Sequence, residues 1–410
     1  MSSLLLKNAR VFDGVNEDCL AGAQVLVEGH IIREVSDKPI RFEADHVLDL
    51  AGRTIMPGLI DAHVHVCTPT FSLRDNDHML PTLMASHAGS ILTGMLRRGF
   101  TTVRDAGGAD RGLWQAIEQG VIQGPRLFYS GKAISQTGGH GDMRGMDSHD
   151  ACSCGAYSGS ISIVADGPDE VRRAVREELR QGAHQIKIMA SGGVVSPTDP
   201  IWMKQFTDEE IAVAVYEAAT RNTYVMAHCH TDEAARRCVS LGVRSIEHGS
   251  DIQAATARLL AEKKAFVVPT LTVTDVLRTY GAELNLPALS LQKIESLYDR
   301  ILRAIETCAR AGVKIGLGAD LLGTKYHGRQ GMELVLRGEV SSAADVLRSA
   351  TSVNAELLQQ PNQLGCIKPG AFADILVLNF DPFESLAPFA HPEHNIVAVI
   401  KGGLIIRNQV

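Results

Sequence analysis

Between residues 97 and 318 the chain repeats one alternation of polar and apolar positions. An amphipathic stretch of helical period ends in a glycine, and a short β-branched or apolar run follows. The repeats read "RRGFTTVRDAGG", "IQGPRLFYSGKAIS", "RQGAHQIKIMASGG", "SLGVRSIEHGS" and "RAGVKIGLGAD". Gly99, Gly124, Gly182, Gly242 and Gly312 mark the junctions, where a helix stops at low cost because glycine accepts the left-handed conformation. "NTYVMAHCH" and "KKAFVVPTL" keep the pattern with Asn222 and Lys264 at the junction, and "GLIDAHVHV" from Gly58 supplies one more run. These are eight strand candidates, and between them lie amphipathic segments at 78–98, 111–122, 168–181, 207–221, 232–241, 252–263, 288–311 and 330–350. Such alternation predicts the α/β class, with a closed parallel (β/α)8 barrel of TIM type over residues 58–359.

Helix-to-strand links are short, whereas the strand-to-helix links 67–77, 132–167, 190–206 and 320–329 are long. In this architecture the long links gather at the C-terminal face of the barrel, where active sites are built. A connection as long as 132–167 is expected only where it has work to do. The chain ends follow another rhythm. "SLLLKNARVFDG", "AQVLVEGHIIREV", "HVLDLAGRTIMPG", "ADILVLNFDP" and "IVAVIKGGLIIRNQV" are short strand-like runs separated by turn residues. Neither end closes a core alone, so residues 1–57 and 360–410 are expected to form one split β-sandwich domain.

Composition narrows the function classes. The chain is 45% hydrophobic and 21% charged with a net charge of −7, which gives no basic footprint for nucleic acid. No apolar stretch reaches the length of a membrane span, so a membrane partner is not expected either. In "MSSLLLKNAR" the basic residues follow only three leucines, the reverse of a signal peptide. The eight cysteines are scattered, which favours reduced thiols in a cytoplasmic enzyme over a disulfide framework. "CSC" at 152–154 lacks a second cysteine pair and reads as free loop thiols rather than a metal clip.

Asp61, His63 and His65 alternate along the first strand and therefore point the same way. Taken alone they could be a polar face turned to water. The other strand ends decide against that, because Lys187 lies on the fourth strand, His228 and His230 on the fifth, His248 at the end of the sixth and Asp320 at the end of the eighth. Imidazoles gathered in one layer indicate metal. A cationic Lys187 would repel that metal. Burial and nearby cations depress a lysine pKa, and the neutral amine can react with carbon dioxide to give an anionic, bridging carbamate. An ion-paired or snorkelling lysine is the plainer alternative.

With these residues the chain resembles the metal-dependent amidohydrolase superfamily. "GLIDAHVH" is similar to its first-strand signature, Lys187 to its carboxylated lysine, and "KPGAFADILVLN" to its closing segment. "SQTGGHGD", "KIMASGGVVSPTD" and "EHGS" resemble the imidazolonepropionase-related branch, which holds binuclear zinc dipeptidases, carboxypeptidases and ochratoxin-type amidases. The resemblance implies two divalent ions, zinc by ligand type, one held by His63, His65, Lys187 and Asp320 and the other by Lys187, His228 and His248. It implies a bridging hydroxide, Asp320 as the proton carrier, and an assembly larger than a dimer.

His140, in "TGGHGD" on the long third loop, is placed to donate a hydrogen bond to a developing oxyanion, with a solvated loop histidine as the alternative. His230 is expected to reach the substrate. The proline-specific relatives carry Tyr there, which argues against proline. Arg144 and Trp202, on long loops, are candidates to meet a substrate carboxylate and side chain, with plain loop residues as the alternative. The deaminases of the superfamily place a Glu three residues after the fifth-strand histidine, where this chain has Thr231. A non-catalytic scaffold would be expected to have lost ligands, and no serine-hydrolase elbow is present. The expected activity is hydrolysis of amide bonds in a small molecule, releasing a C-terminal amino acid from dipeptides or N-acyl amino acids. Opening of a cyclic amide or cleavage of a xenobiotic amide is the alternative.

Overall fold

The short runs at the two chain ends meet in one sheet. In the computed structural model, which describes residues 2–145, 158–194, 196, 198–284 and 288–410, the chain opens on β1 (Ser3–Val11), β2 (Leu20–Glu28), β3 (Ile31–Ser36), β4 (His46–Asp49) and β5 (Thr54–Pro57). β1 pairs antiparallel with β2, Leu4 facing Val27, and parallel with β4 and β5. Only Gly58 separates β5 from β6 (Leu59–Val64), so the terminal sheet runs directly into the next layer.

The strands of the repeat follow: β7 (Phe100–Asp105), β8 (Arg126–Tyr129), β9 (Ala133–Ser135), β10 (Ser162–Val164), β11 (Ile186–Met189), β12 (Val225–Cys229), β13 (Ser245–His248), β14 (Phe266–Val268) and β15 (Lys314–Ile315). β6, β7 and β8 form one parallel sheet, and β10-β9-β11-β12-β13-β14-β15 form another. β7, β11, β12, β13 and β14 are buried along their whole length, as strands covered on both faces are. The two sheets are tied at both ends. Ala62 N–H donates to Leu317 O and Asp320 N–H to His63 O, both at 2.8 Å, while Gly108 N–H reaches Gly131 O and His184 N–H reaches Tyr129 O, both at 2.9 Å. The chain returns through β16 (Ile375–Leu378), β17 (Ile396–Lys401) and β18 (Leu404–Asn408), and β16 pairs antiparallel with β5, Val377 facing Ile55.

The expected helices fold at 81–97, 111–118, 167–180, 208–219, 232–240, 254–262 and 288–310. Gly99, Gly182, Gly242 and Gly312 take positive φ, and Asn222 and Lys264 adopt φ 55° in the same place, so the left-handed turn is imposed by the junction itself. Gly124 is not among the positive-φ glycines. The sequence differs from the structure in three places. The expected helix at 330–350 is divided into Met332–Arg337 and Ala343–Arg348, with Ser342 capping the second by accepting from Asp345 N–H. The 132–167 connection contains β9 and β10, and a helix at Leu271–Tyr280 follows β14. The "CSC" stretch lies outside the described residues. Among the described residues no helix is long and apolar enough to cross a membrane.

Candidate active site

Alternation along the strands divides apolar from chemical side chains. Ile186 and Ile188 of β11 pack outward with Val225, Ala227 and Cys229 of β12, and Lys187, Met189 and His228 turn inward. At the strand ends the alternation stops. His248, Thr270 and Asp320 have φ of 69°, 51° and 53°, a strained conformation for side-chain-bearing residues that recurs at functional sites. The turn at His248 brings an imidazole into the cavity directly after Glu247, which lies beneath it.

One cavity collects His63, His65, His140, Lys187, His228, His230, His248 and Asp320. Ligand atoms of His63, His65 and Asp320 lie within 4.8 Å of one another, and so do those of His228, His230 and His248. Asp320 Oδ1 is 3.4 Å from Nε2 of both His63 and His65, and Asp320 Oδ2 is 3.9 Å from Nδ1 of His248. The rings of His228 and His248 are 4.5 Å apart. Lys187, 1% exposed, lines the same space.

A partner behind each imidazole fixes which nitrogen faces the cavity. His63 Nδ1 donates to Glu247 Oε2 at 2.7 Å, and His65 Nδ1 donates to the Gly107 carbonyl at 3.0 Å. His248 Nδ1 meets the Thr270 hydroxyl at 2.8 Å, and His230 Nδ1 meets that of Ser250 at 2.8 Å. His228 is held by its other nitrogen, Nε2, which donates to Gly192 O at 3.2 Å. Glu247 also receives Arg104 Nη2 at 2.9 Å, so a fully buried acid–arginine pair underlies the histidines. Asp61, the first member of the alternating trio, is a clamp. It accepts from His63 N–H at 3.0 Å, Ala319 N–H at 3.1 Å and Gln330 Nε2 at 2.8 Å.

Burial governs the protonation states. It pushes Asp320 up to about 7, lowers Lys187, drives His65 and His230 down to about 3, and holds His63, His228 and His248 well below the usual imidazole value. These imidazoles are therefore neutral near pH 7, the form that binds metal. His63 Nε2 is buried with no hydrogen-bond partner, as expected of an atom that awaits a ligand.

His140 stacks on His228 with ring centroids 4.1 Å apart. Its Nδ1 lies 2.8 Å from Ser196 Oγ and 3.1 Å from Asp199 Oδ2, which leaves Nε2 free to point elsewhere. The structure does not bring Arg144 or Trp202 to the cavity lining. Arg144 forms a two-point pair with Asp142, at 2.7 and 2.6 Å, and Trp202 is 78% exposed. Glu247, Ser250 and Asp199 fall within the quoted stretches "EHGS" and "KIMASGGVVSPTD" and Thr270 outside them, yet none of the four stands out in the sequence as a site residue, because each acts through another residue. Apolar side chains close the rest of the cavity, Leu73, Met143, Ile161 and Leu322 on one side, and Val273, Leu277, Leu297 and Ile301 on the other.

Known proteins carry the same architecture. An ochratoxinase from Aspergillus niger is 34% identical over 369 residues, covering 86% of this chain and 75% of that protein. A solved prolidase complexed with N-methylphosphonate-L-proline is 45% identical with a TM-score of 0.95, 100% of each chain being covered. A Xaa-Pro dipeptidase solved with methionine bound in its active site is 30% identical with a TM-score of 0.89, covering 98% of this chain and 99% of that one. The profile of the amidohydrolase family matches residues 54–406, and with these relatives it establishes that the chain belongs to that family, as a hydrolytic enzyme acting on amide bonds.

Proposed function

We propose that this chain is a two-metal hydrolase releasing a C-terminal amino acid from dipeptides or N-acyl amino acids. It would work in a (β/α)8 barrel over 58–359 beside a small β-sandwich domain built from 1–57 and 360–410. The observation that carries the reading is the pair of imidazole-rich groups flanking Lys187 in one apolar-walled cavity. The free thiols of Cys19, Cys67, Cys229, Cys238, Cys308 and Cys366 fit a reducing cytoplasm, and a homo-oligomer is part of the same reading.

The donor set fits two divalent cations of zinc type. Neutral imidazoles and a carboxylate are the right ligands, and the orphaned His63 Nε2 needs one. His63, His65, Lys187 and Asp320 would hold one ion, and Lys187, His228 and His248 the other. Desolvation favours the neutral Lys187 amine. That amine can add to carbon dioxide, forming an N–C bond and releasing a proton, to give a carbamate whose single negative charge is shared by two oxygens. When bound, the ions supply an acidified water and a polarised scissile carbonyl.

The remaining steps fall to side chains. Asp320, raised to about 7 by burial, can accept the proton of the attacking water and return it to the leaving nitrogen as the C–N bond breaks. His140, anchored through Nδ1 by Ser196 and Asp199, is oriented to donate from Nε2 to the developing oxyanion. His230, held by Ser250, meets the substrate beside them.

A hydrolysis screen of the zinc-loaded chain against dipeptides and N-acyl amino acids, varied at the C-terminal residue, tests the proposal. Free amino acid released from one chemical subset is the expected result. Silence across the panel with two ions bound would reject it. The likeness to an ochratoxinase favours, as a second reading, the amide of a non-peptide small molecule.

A further inference from the structure

Gly193 stands in the loop between β11 and the helix Asp208–Ala219, and nothing in its backbone calls for glycine. It is not among the glycines of positive φ, so alanine could adopt its conformation. What a side chain would meet there is the ring of His140. A Cβ added to Gly193 would fall within 3.0 Å of Cε1, Nδ1 and Nε2 of that imidazole, nearer than non-bonded carbon and nitrogen atoms approach. The three atoms nearest to it all belong to His140. Gly192 differs, because a Cβ there would strike the Pro200 carbonyl in the backbone of its own loop.

Little room is left for the ring to move aside. It is stacked on His228 with centroids 4.1 Å apart, and Ser196 and Asp199 meet its Nδ1 at 2.8 and 3.1 Å. The same Asp199 oxygen accepts from Gly193 N–H at 3.1 Å and from Gln205 Nε2 at 3.2 Å. Gln205 Oε1 in turn accepts from His140 N–H at 3.0 Å. His140 follows β9, whereas Gly193, Ser196, Asp199 and Gln205 all follow β11. The second loop therefore holds both the backbone and the ring of His140, and the ring lies against the one position of that loop where a side chain would overlap it.

We infer that Gly193 is a positioning residue for amide hydrolysis: its missing side chain is the space in which the His140 ring sits with Nε2 turned to the cavity, and it acts on the reaction only through His140. The inference rests on the oxyanion role given to His140 above. It adds to that role a residue of a second loop that never touches the substrate.

The test is a double-mutant cycle of Gly193→Ala and His140→Ala in the zinc-loaded full chain. Turnover is measured on the N-acetyl derivatives of leucine, methionine and phenylalanine and on p-nitroacetanilide, with zinc per chain measured for each variant. His140→Ala is expected to lower kcat by about 100- to 1,000-fold, the scale of one oxyanion donor. Gly193→Ala should lose about 10-fold or more in kcat, with KM changed by less than about 3-fold and the zinc content unchanged. Without the His140 ring the added methyl meets empty space, so the double variant should match His140→Ala within about 2-fold. Losses that multiply, as for a glycine needed by its own loop, overturn the inference. So does full turnover in Gly193→Ala, or a loss of zinc in step with its rate. A His140→Ala chain of normal rate rejects the role of His140 and the inference with it. If Gly193→Ala does not fold, removing His140 as well should restore a soluble chain that melts cooperatively, and a double variant that stays unfolded overturns the inference. Turnover of p-nitroacetanilide alone rejects the amino-acid-releasing reading, while the cycle still decides the role of Gly193. No turnover of any of these compounds overturns both readings.

Discussion

An ammonium sealed from water among five histidines is held in place only if it loses its charge or gains an anion. Lys187 is in that position, facing His63, His65, His228, His230 and His248 across one cavity. Lys187→Ala should therefore remove both metal ions and the activity together, measured as metal per chain alongside turnover. A folded variant with two ions and full turnover would end the bridging carbamate. Asp320→Asn should keep the fold and lose orders of magnitude in rate, since an amide cannot carry the proton. Near-normal turnover would remove Asp320 from that role. Glu247 acts one layer deeper, on both His63 and Arg104. Glu247→Gln leaves Arg104 buried without its counter-charge, so denaturant unfolding should report a loss of about 3–5 kcal/mol. Metal competition should report an affinity weakened by about 10- to 100-fold. The candidate ligands were legible because they stand at strand ends in a repeating pattern. Glu247 was not, since period two puts it opposite His248, and only the left-handed turn at His248 cancels that alternation.

At the scale of elements the legible parts are those whose signals are local. Amphipathic period and a stop at the junction located seven helices to within a few residues. The helix Leu271–Tyr280 carried no such signal. Its sequence "LTVTDVLRTY" is rich in β-branched residues, and Thr270 before it makes no side-chain cap bond. The cap comes from far along the chain. Glu333 accepts from Leu271 N–H at 3.1 Å and Thr272 N–H at 2.7 Å, satisfying two donors that the helix start leaves open. This helix supplies Val273 and Leu277 to the cavity wall, so its anchorage bears on specificity. Glu333→Ala should cost about 1–3 kcal/mol for each buried donor left unsatisfied. It should also raise KM for apolar substrates while both metal ions stay bound. Unaltered stability would show that the helix start finds another partner.

At the scale of the whole molecule, the proposed division into barrel and terminal domain meets an apolar core that draws on both segments. One apolar cluster unites Phe12 and Met56 from the first residues and Leu376, Leu378, Ile396 and Val399 from the last with Ile91, Leu92, Met95 and Leu347 of the central segment. The two chain ends are joined by backbone pairing of β5 with β16, and Gly58 N–H at the junction donates to Asp374 O at 2.8 Å. Each such apolar side chain stabilises the fold by about 1.5–3 kcal/mol when buried. Removing even these six side chains together thus forfeits an amount comparable with the entire stability of a typical domain, about 5–15 kcal/mol. It would also expose their partners as one contiguous apolar face, which favours aggregation. Expression of residues 58–359 alone should accordingly yield insoluble chain, or soluble chain without a cooperative thermal transition and without bound metal. The full chain under the same conditions should be soluble and melt cooperatively. A soluble 58–359 fragment that binds two ions would show that the site is held by the parallel strands alone, with the terminal sheet adding nothing essential to it.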